Sequence, residues 1–104
     1  MNSPIARILH FSFETAEDLE LWVLKYQTET SELAQEAIQR TLIKTDETSL
    51  VICNIYRNEE DADIVFERLS KWSDTVKAAR TWESFNLTGE VVFQSHNFKP
   101  AAYF

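Results

Sequence analysis

The stretch Ser49-Leu-Val-Ile-Cys-Asn-Ile-Tyr56, followed through Arg57 by Asn58 and Glu59-Glu-Asp-Ala-Asp-Ile-Val-Phe-Glu-Arg-Leu-Ser-Lys-Trp72, decides the fold class of this chain. Within its first eight residues, Leu50, Val51, Ile52, Cys53 and Ile55 form a short, mostly β-branched apolar run, which is typical of a central strand covered on both sides. Asn58 is suited to cap a helix, because its side chain can accept a hydrogen bond from the amide three residues on. Apolar residues then recur at helical spacing, so one side of this helix is predicted to pack on a sheet.

The residues before this stretch predict a strand, a helix and a second strand. Alternation predicts a strand over Ile5–Phe13, and the capping box Thr15-Ala-Glu-Asp18 predicts a helix that begins near Ala16. We expect this helix to falter over residues 27–30 and to resume over 32–37. A second strand is predicted over 38–45, and the polar turn Asp46-Glu47-Thr48 joins it to the central strand as a hairpin.

The residues after Trp72 complete a βαββαβ order. A short helical continuation or a separate turn is predicted through Ala79, then a long last strand over 84–98 that is broken or bulged near Gly89, then the tail 99–104. With right-handed crossovers this order gives the ferredoxin-like α+β plait. In that fold a four-stranded antiparallel sheet carries both helices on one face, and the first and third strands are central neighbours.

Composition narrows the possible partners. The 104 residues suit one domain over 1–104, and ten basic against seventeen acidic residues give a net charge of −7. Because no basic cluster interrupts this acidity, we expect no nucleic-acid partner. The apolar runs are much shorter than the ~20 residues of a membrane helix, and no leader is evident, so no membrane contact is expected. A single cysteine, Cys53, fits a reducing, cytoplasmic location.

Two residue types argue against bound cofactors. The chain has one glycine, Gly89, so a glycine-rich phosphate loop of the Rossmann or P-loop kind is not expected. The two histidines have no evident third ligand, so no metal site is predicted. We therefore expect no cofactor.

Alternation assigns the strand residues to two faces. The face beneath the helices is predicted to hold Leu9, Phe11, Phe13, Val51, Cys53, Ile55, Val91 and Phe93. The other, mixed face is predicted to hold Ile8, His10, Ser12, Arg40, Leu42, Leu50, Ile52, Asn54, Tyr56, Val92, Gln94, His96 and Phe98. The apolar members of the mixed face would form a patch of the size that marks an interface. We therefore predict a two-fold homodimer that packs these faces together and encloses a cavity.

The element order, the hairpin leading into the second helix, the short segment after it and the long last strand resemble the dimeric α/β-barrel superfamily. The antibiotic-biosynthesis-monooxygenase-like branch is the most similar. This resemblance implies a dimer with a small-molecule pocket between each sheet and its helices or in the barrel. Some members of that superfamily oxidise aromatic polyketides without a cofactor, and some cleave haem.

Two motifs of these relatives can be compared with the chain. The haem-cleaving relatives place an asparagine on the first strand, whereas Ile8-Leu-His-Phe-Ser-Phe13 here contains none. They also pair a tryptophan with a histidine near the second helix, where this sequence has Trp72 and Trp82 but no histidine. The polyketide oxygenases use an asparagine, a tryptophan and an arginine, residue types that Asn54, Trp72 and Arg68 could supply.

The candidate catalytic residues are His10, Asn54 and His96. Both histidines could move protons near neutral pH, and Asn54 could orient a carbonyl or an oxyanion. The alternative is structural: histidines held by hydrogen bonds, and an asparagine paired with its symmetry mate. The candidate ligand-binding residues are Tyr56, Trp72, Trp82 and Arg40, although Trp72 also lies at a spacing typical of core packing.

Two functions follow from these residues. The first is a cofactor-independent monooxygenase or isomerase acting on a small aromatic or polyketide-like molecule. The alternative is a non-catalytic dimeric module, structural or regulatory, that binds a metabolite. An RNA-recognition module of the same topology is disfavoured by the charge and by the lack of a glycine-aromatic ribonucleoprotein motif.

Overall fold

The computed structural model describes residues 3–76 and 81–95, and for 81–84 the backbone alone. The elements are β1 (Ile5–Phe13), α1 (Ala16–Glu29), β2 (Ala37–Asp46), β3 (Ser49–Tyr56), α2 (Glu59–Thr75) and β4 (Thr81–Glu90). Neighbouring strands pair antiparallel in the order β2-β3-β1-β4, so β1 and β3 are central. The predicted ferredoxin-like α+β fold is confirmed.

Both helices begin at the predicted caps. The Thr15 side chain accepts a hydrogen bond from the Asp18 amide at 3.1 Å, and the Asn58 side chain accepts one from the Asp61 amide at 2.8 Å. Acidic residues in the first turn of each helix also stabilise it, because they lie at the positive end of the helix dipole. These caps fix where each helix leaves the strand before it.

The predicted resumption of α1 over 32–37 is wrong. The helix ends at Glu29, residues 31–36 form turns, and β2 already begins at Ala37. The fully buried Thr30 hydroxyl donates to the Tyr26 carbonyl, and the Thr30 carbonyl accepts from the Leu33 and Ala34 amides. These bonds satisfy the helix end locally and turn the chain back towards the sheet.

The predicted bounds of the last strand are also wrong. β4 pairs with β1 from Phe13 opposite Thr81 to Ile5 opposite Glu90, so it begins earlier than predicted and ends opposite the first residue of β1. The register irregularity lies at Ser84, between the partners of His10 and Phe11, whereas the predicted break near Gly89 corresponds to the end of β4 at Glu90. Residues 91–95 follow without strand structure. The predicted continuation through Ala79 and the tail 99–104 lie outside the described residues.

Strand register overturns part of the predicted face assignment. Leu9 pairs with Ile52 and Phe11 with Leu50, and paired residues share a face. Leu50, Ile52, Asn54 and Tyr56 are consequently buried beneath the helices, where Val51, Cys53 and Ile55 were predicted. On β2, Leu42 pairs with Ile52 and Arg40 with Asn54, so both share this side. We call it the covered face.

The opposite side of the sheet, which we call the open face, carries no helix of the described chain. It holds Ile8, His10, Ile43, Val51, Cys53, Phe85 and Leu87, as the register of the four strands requires. The predicted core position of Phe93 is wrong as well, because that side chain is 83% exposed. One predicted property of the fold remains: the sheet is apolar on both sides.

Five aromatic rings form the centre of the core. The Trp22 ring on α1 lies 5.9 Å from Phe11, 5.8 Å from Phe13, 5.0 Å from Tyr26 and 5.5 Å from Trp72 on α2. Trp22 thereby joins both helices to the sheet. Within the described chain, no helix is long and apolar enough to cross a membrane.

Candidate functional site

A cavity of about 230 Å³ lies between the covered face and the two helices. Its lining comes from β1 (Arg7, Leu9, Phe11), β3 (Ile52, Asn54, Tyr56), α1 (Trp22, Tyr26) and α2 (Phe66, Leu69, Ser70, Trp72, Ser73, Asp74). Asp74 is exposed, so the cavity reaches solvent beside the C-terminal end of α2.

Aromatic rings form two walls of the cavity. Trp22 and Tyr26 stack at 5.0 Å with their planes 20° apart, and Trp72 meets Tyr26 edge-on at 5.9 Å. The Trp72 indole N–H donates to the Glu29 carboxylate at 3.1 Å, so its polar edge is already paired. Trp72 therefore offers the cavity an apolar surface, held in place from α1.

Asn54 and Tyr56 supply polar groups from the sheet. The Asn54 Nδ2 donates to the Tyr56 hydroxyl at 3.2 Å, and both residues are only 2% exposed. Burial is the main cause that raises the pKa of Tyr56, so this phenol is protonated at neutral pH. Because its oxygen accepts from Asn54, its own proton can be donated to a bound molecule.

Three residues that line the cavity carry a buried polar atom with no hydrogen-bond partner among the described residues. These atoms are Trp22 Nε1, Tyr26 Oη and Asn54 Oδ1. Buried polar groups are nearly always paired in folded proteins, because an unpaired one keeps the cost of losing water. An arrangement of three at one cavity is typical of a ligand site.

Arg7 places a cation at the edge of the cavity. Its side chain is 12% exposed, lies over the Phe66 ring at 5.6 Å and pairs with the exposed Asp63 carboxylate. Arg68, the arginine that the resemblance suggested, instead pairs with Glu36 at 2.8 Å and is not part of the lining. Arg7 is therefore the arginine that a bound molecule would meet.

Arg40 lies behind the cavity wall. Its guanidinium stands 4.6 Å from the centre of the Tyr26 ring and donates to the Thr30 hydroxyl at 2.6 Å. Tyr26 is thus held between Arg40 and Trp22. The predicted ligand-binding residue Arg40 supports the ring that lines the cavity, and is not itself among the lining residues.

His10 and Asn54 do not share a site within one chain. His10 pairs with Val51 and Phe85, and its ring stacks on Phe85 at 5.3 Å on the open face, whereas Asn54 is on the covered face. The predicted grouping of these two residues is wrong, because the register of β3 against β1 places its even-numbered residues beneath the helices. His10 still has a buried Nδ1 with no partner in the described chain.

Two predicted site residues are not placed by the structure. His96 lies outside the described residues. Trp82 pairs with Ser12 along β4, and only its backbone is described. Their predicted roles remain predictions. Among the described residues, no group of three histidine, cysteine, aspartate or glutamate side chains could hold a metal ion.

Sequence reasoning missed Trp22, Tyr26 and Arg7 as lining residues. Trp22 and Tyr26 are four residues apart on α1 and so share one helix face, a spacing that is equally typical of core packing. Arg7 interrupts the apolar alternation of β1 on the side of Leu9. An arginine on the covered side of β1, opposite an aromatic face of α1, was the signal that could have located the cavity.

Neither a protein-family model nor a curated protein sequence matches the chain. Solved structures do. A dimeric ferredoxin-like protein from an uncultured marine organism has a TM-score of 0.71 at 18% identity, covering 91% of this chain and 100% of the other. A candidate antibiotic biosynthesis monooxygenase from Nitrosomonas europaea has a TM-score of 0.71 at 16% identity, covering 92% and 97%.

A third similar structure is SnoaB from Streptomyces nogalater, a cofactor-independent oxygenase. It has a TM-score of 0.62 at 10% identity, covering 94% of this chain and 98% of the other. This chain has the ferredoxin-like fold of these proteins. The similarity that the sequence suggested is thus confirmed for the fold, over nearly the whole length of the ferredoxin-like domain.

Proposed function

We propose that the protein binds a small aromatic molecule in the cavity and supports its oxygenation by O₂ without a cofactor. The observation that carries this proposal is a cavity between the covered face and the helices, with aromatic walls and three polar atoms that have no hydrogen-bond partner among the described residues. Concave sites of this composition, mostly apolar with a few placed polar groups, are the usual form of small-molecule sites. The fold of a named cofactor-independent oxygenase supports the choice of reaction.

The proposed reaction needs only an electron-rich substrate and O₂. A phenol with a free para position becomes a quinone: the ring is oxidised and O₂ is reduced. One oxygen atom forms the new carbonyl, and the other leaves as water with the phenolic hydrogen and the para hydrogen. The substrate supplies all four electrons, so the balance requires no bound redox group.

Ionisation of the phenol is the step that the protein can assist. We assign Asp74, a carboxylate at the mouth of the cavity, as the proton acceptor. The Tyr56 hydroxyl and the Arg7 guanidinium lie along the same cavity and can stabilise the negative charge that develops. Asn54 orients Tyr56 through its 3.2 Å hydrogen bond.

Oxygen uptake with 2-methylphenol and 2-hydroxybenzaldehyde tests this proposal. We expect enzyme-dependent O₂ consumption and one labelled oxygen atom in the quinone from ¹⁸O₂. Asp74→Asn should lower the rate at least tenfold and leave binding intact, whereas Glu67→Gln, an exposed carboxylate on the same helix, should not.

Three other results would contradict oxygenation. Hydrogen exchange without O₂ uptake would indicate an isomerase, and saturable binding without turnover would indicate a non-catalytic binding module. No binding of any aromatic compound would overturn the site itself.

We further propose that the open face is a homodimer interface. Its side chains Ile43, Phe85 and Leu87 are 49%, 41% and 56% exposed, and contiguous apolar surface of this kind marks an interaction site. A second copy of the same face is self-complementary around a two-fold axis. The predicted interface residues Leu42, Leu50 and Ile52 are excluded, because they belong to the covered face.

Light scattering during size-exclusion chromatography at micromolar concentration tests the dimer. We expect a mass twice that of the 12.1 kDa chain. A mass of one chain across this concentration range would contradict the interface and would leave the cavity proposal standing, since all the described lining residues come from one chain.

A further inference from the structure

The size of the cavity limits the ligand to one aromatic ring. A cavity of about 150 Å³ can hold benzene, and sites for drug-sized molecules begin near 300 Å³. The 230 Å³ between the sheet and the helices lies between these values. It therefore suits one ring with small substituents and is too small for a fused three-ring system.

The α1 wall offers hydrogen-bond donors. The Trp22 indole N–H can only donate, the Tyr26 hydroxyl can donate, and neither atom has a partner among residues 3–76 and 81–95. The two rings stack at 5.0 Å one helical turn apart, so they belong to the same wall. A ligand atom that satisfies them must accept hydrogen bonds, as a carbonyl oxygen does.

The sheet wall of the cavity offers a hydrogen-bond acceptor. Asn54 Nδ2 already donates to the Tyr56 hydroxyl, whereas Asn54 Oδ1 is buried without a partner in the described chain. A carbonyl oxygen of an amide can only accept. The ligand group that satisfies Asn54 must therefore donate, as a hydroxyl does.

We infer that the ligand is a single aromatic ring with a carbonyl directed to Trp22 and Tyr26 and a hydroxyl directed to Asn54. This inference rests on the proposed function and adds the hydrogen-bond pattern of the bound ring. A carbonyl at the end of the ring that the α1 donors face stands where the proposed reaction forms the quinone carbonyl, so a ring that already carries it is an analogue of the product and not a substrate.

Four probes of nearly equal size separate the two hydrogen bonds. They are 4-hydroxybenzaldehyde, 4-methylbenzaldehyde, 4-vinylphenol and 4-methylstyrene, which carry both groups, the carbonyl alone, the hydroxyl alone and neither. Calorimetric titration should give the tightest binding for 4-hydroxybenzaldehyde. Loss of either group should weaken binding about tenfold, the effect of one hydrogen bond to a buried partner.

The variant Tyr26→Phe tests whether the ligand carbonyl contacts the α1 wall. Tyr26→Phe removes one buried hydroxyl and keeps the ring, so the fold should be retained. It should reduce the advantage of 4-hydroxybenzaldehyde over 4-vinylphenol and keep its advantage over 4-methylbenzaldehyde. Unchanged affinities for all four probes would overturn the assignment of the carbonyl to α1.

The outcomes distinguish this inference from the proposed function. Equal affinities of the four probes for the wild-type protein would overturn the hydrogen-bond pattern and leave aromatic binding intact. Binding of the three-ring compound anthrone in preference to all four probes would overturn the size limit alone. Failure of every probe, anthrone included, would overturn both proposals.

Discussion

The two faces of the sheet are both apolar, but their polar groups differ. The covered face places Asn54 and Tyr56 beneath the helices at 2% exposure. The other wall of the adjacent cavity carries two donors that have no partner in the part of the chain that the structure describes. The open face carries side chains such as Leu87, at 56% exposure, and one histidine stacked on Phe85. The covered face thus suits a small ligand, and the open face suits another protein surface.

The difference arises from what each face contacts. On the covered face the helices already bury the apolar area, and the groups that lack a partner within residues 3–76 and 81–95 are polar. On the open face apolar area itself is exposed, and its removal from water contributes roughly 25 cal/mol per Å². We therefore expect the same kind of substitution to have different effects on the two faces.

Truncating an isoleucine on either face should give the largest contrast in stability. Ile52→Ala removes a core side chain that is 3% exposed, and we expect it to lower the free energy of unfolding by about 2–5 kcal/mol. Ile43→Ala, at a position that is 49% exposed, should lower the free energy of unfolding of the monomer by less than about 1 kcal/mol. Equal costs in urea unfolding would show that the faces are not distinct.

A charge on the open face should separate the proposed dimer. Leu87→Glu places a carboxylate in the interface and should raise the dissociation constant at least tenfold, because a buried unpaired charge opposes association. Leu24→Glu is the matched control, since Leu24 is also 56% exposed but lies on α1. Sedimentation velocity would contradict the interface if both variants dissociated alike or neither did.

Replacing the cation behind Tyr26 should have a smaller effect. Arg40→Lys removes the planar guanidinium over the Tyr26 ring and weakens the bond to Thr30, which we expect to cost about 1 kcal/mol of unfolding free energy. Binding of 4-hydroxybenzaldehyde should weaken only a few-fold, because Arg40 does not line the cavity. Loss of binding with full stability would instead indicate direct contact with the ligand.

The smallest effect should appear only at high pH. Since burial raises the pKa of Tyr56, the folded chain holds this proton after the unfolded chain has lost it. Stability is therefore fully present below about pH 10 and falls as the pH rises towards the folded pKa. Urea unfolding from pH 8 to 11 should show a steeper loss for the wild-type chain than for Tyr56→Phe. Parallel curves would contradict the burial of this hydroxyl.

The sequence predicted the elements better than the faces. Caps at Thr15 and Asn58 locate both helix starts, because a side chain that satisfies a free amide is a local signal. The faces of β3 depend on pairing with β1, which is not local. The two alternating sets of β3 side chains are both mostly apolar, so the sequence pattern is equally compatible with either set facing the helices.

The same ambiguity explains why only part of the candidate site could be predicted from the sequence. Asn54, Tyr56 and Trp72 were found by residue type and do line the cavity, whereas the grouping of Asn54 with His10 depended on the wrong face of β3. Trp22 and Tyr26 have the helical spacing of core residues, and they both belong to the core and line the cavity. Only tertiary packing shows that the buried Trp22 indole N–H has no partner among the residues that the structure describes.

The tryptophan indole N–H signals test the central claim most directly. A ¹H–¹⁵N titration with 4-hydroxybenzaldehyde can follow Trp22, Trp72 and Trp82, the three tryptophans of the chain, as separate reporters. We predict a large, saturable shift for Trp22 and a smaller one for Trp72, whose N–H is already bonded to Glu29. An unmoved Trp22 signal, with shifts confined to the amides of His10 and Phe85, would contradict the cavity as the binding site.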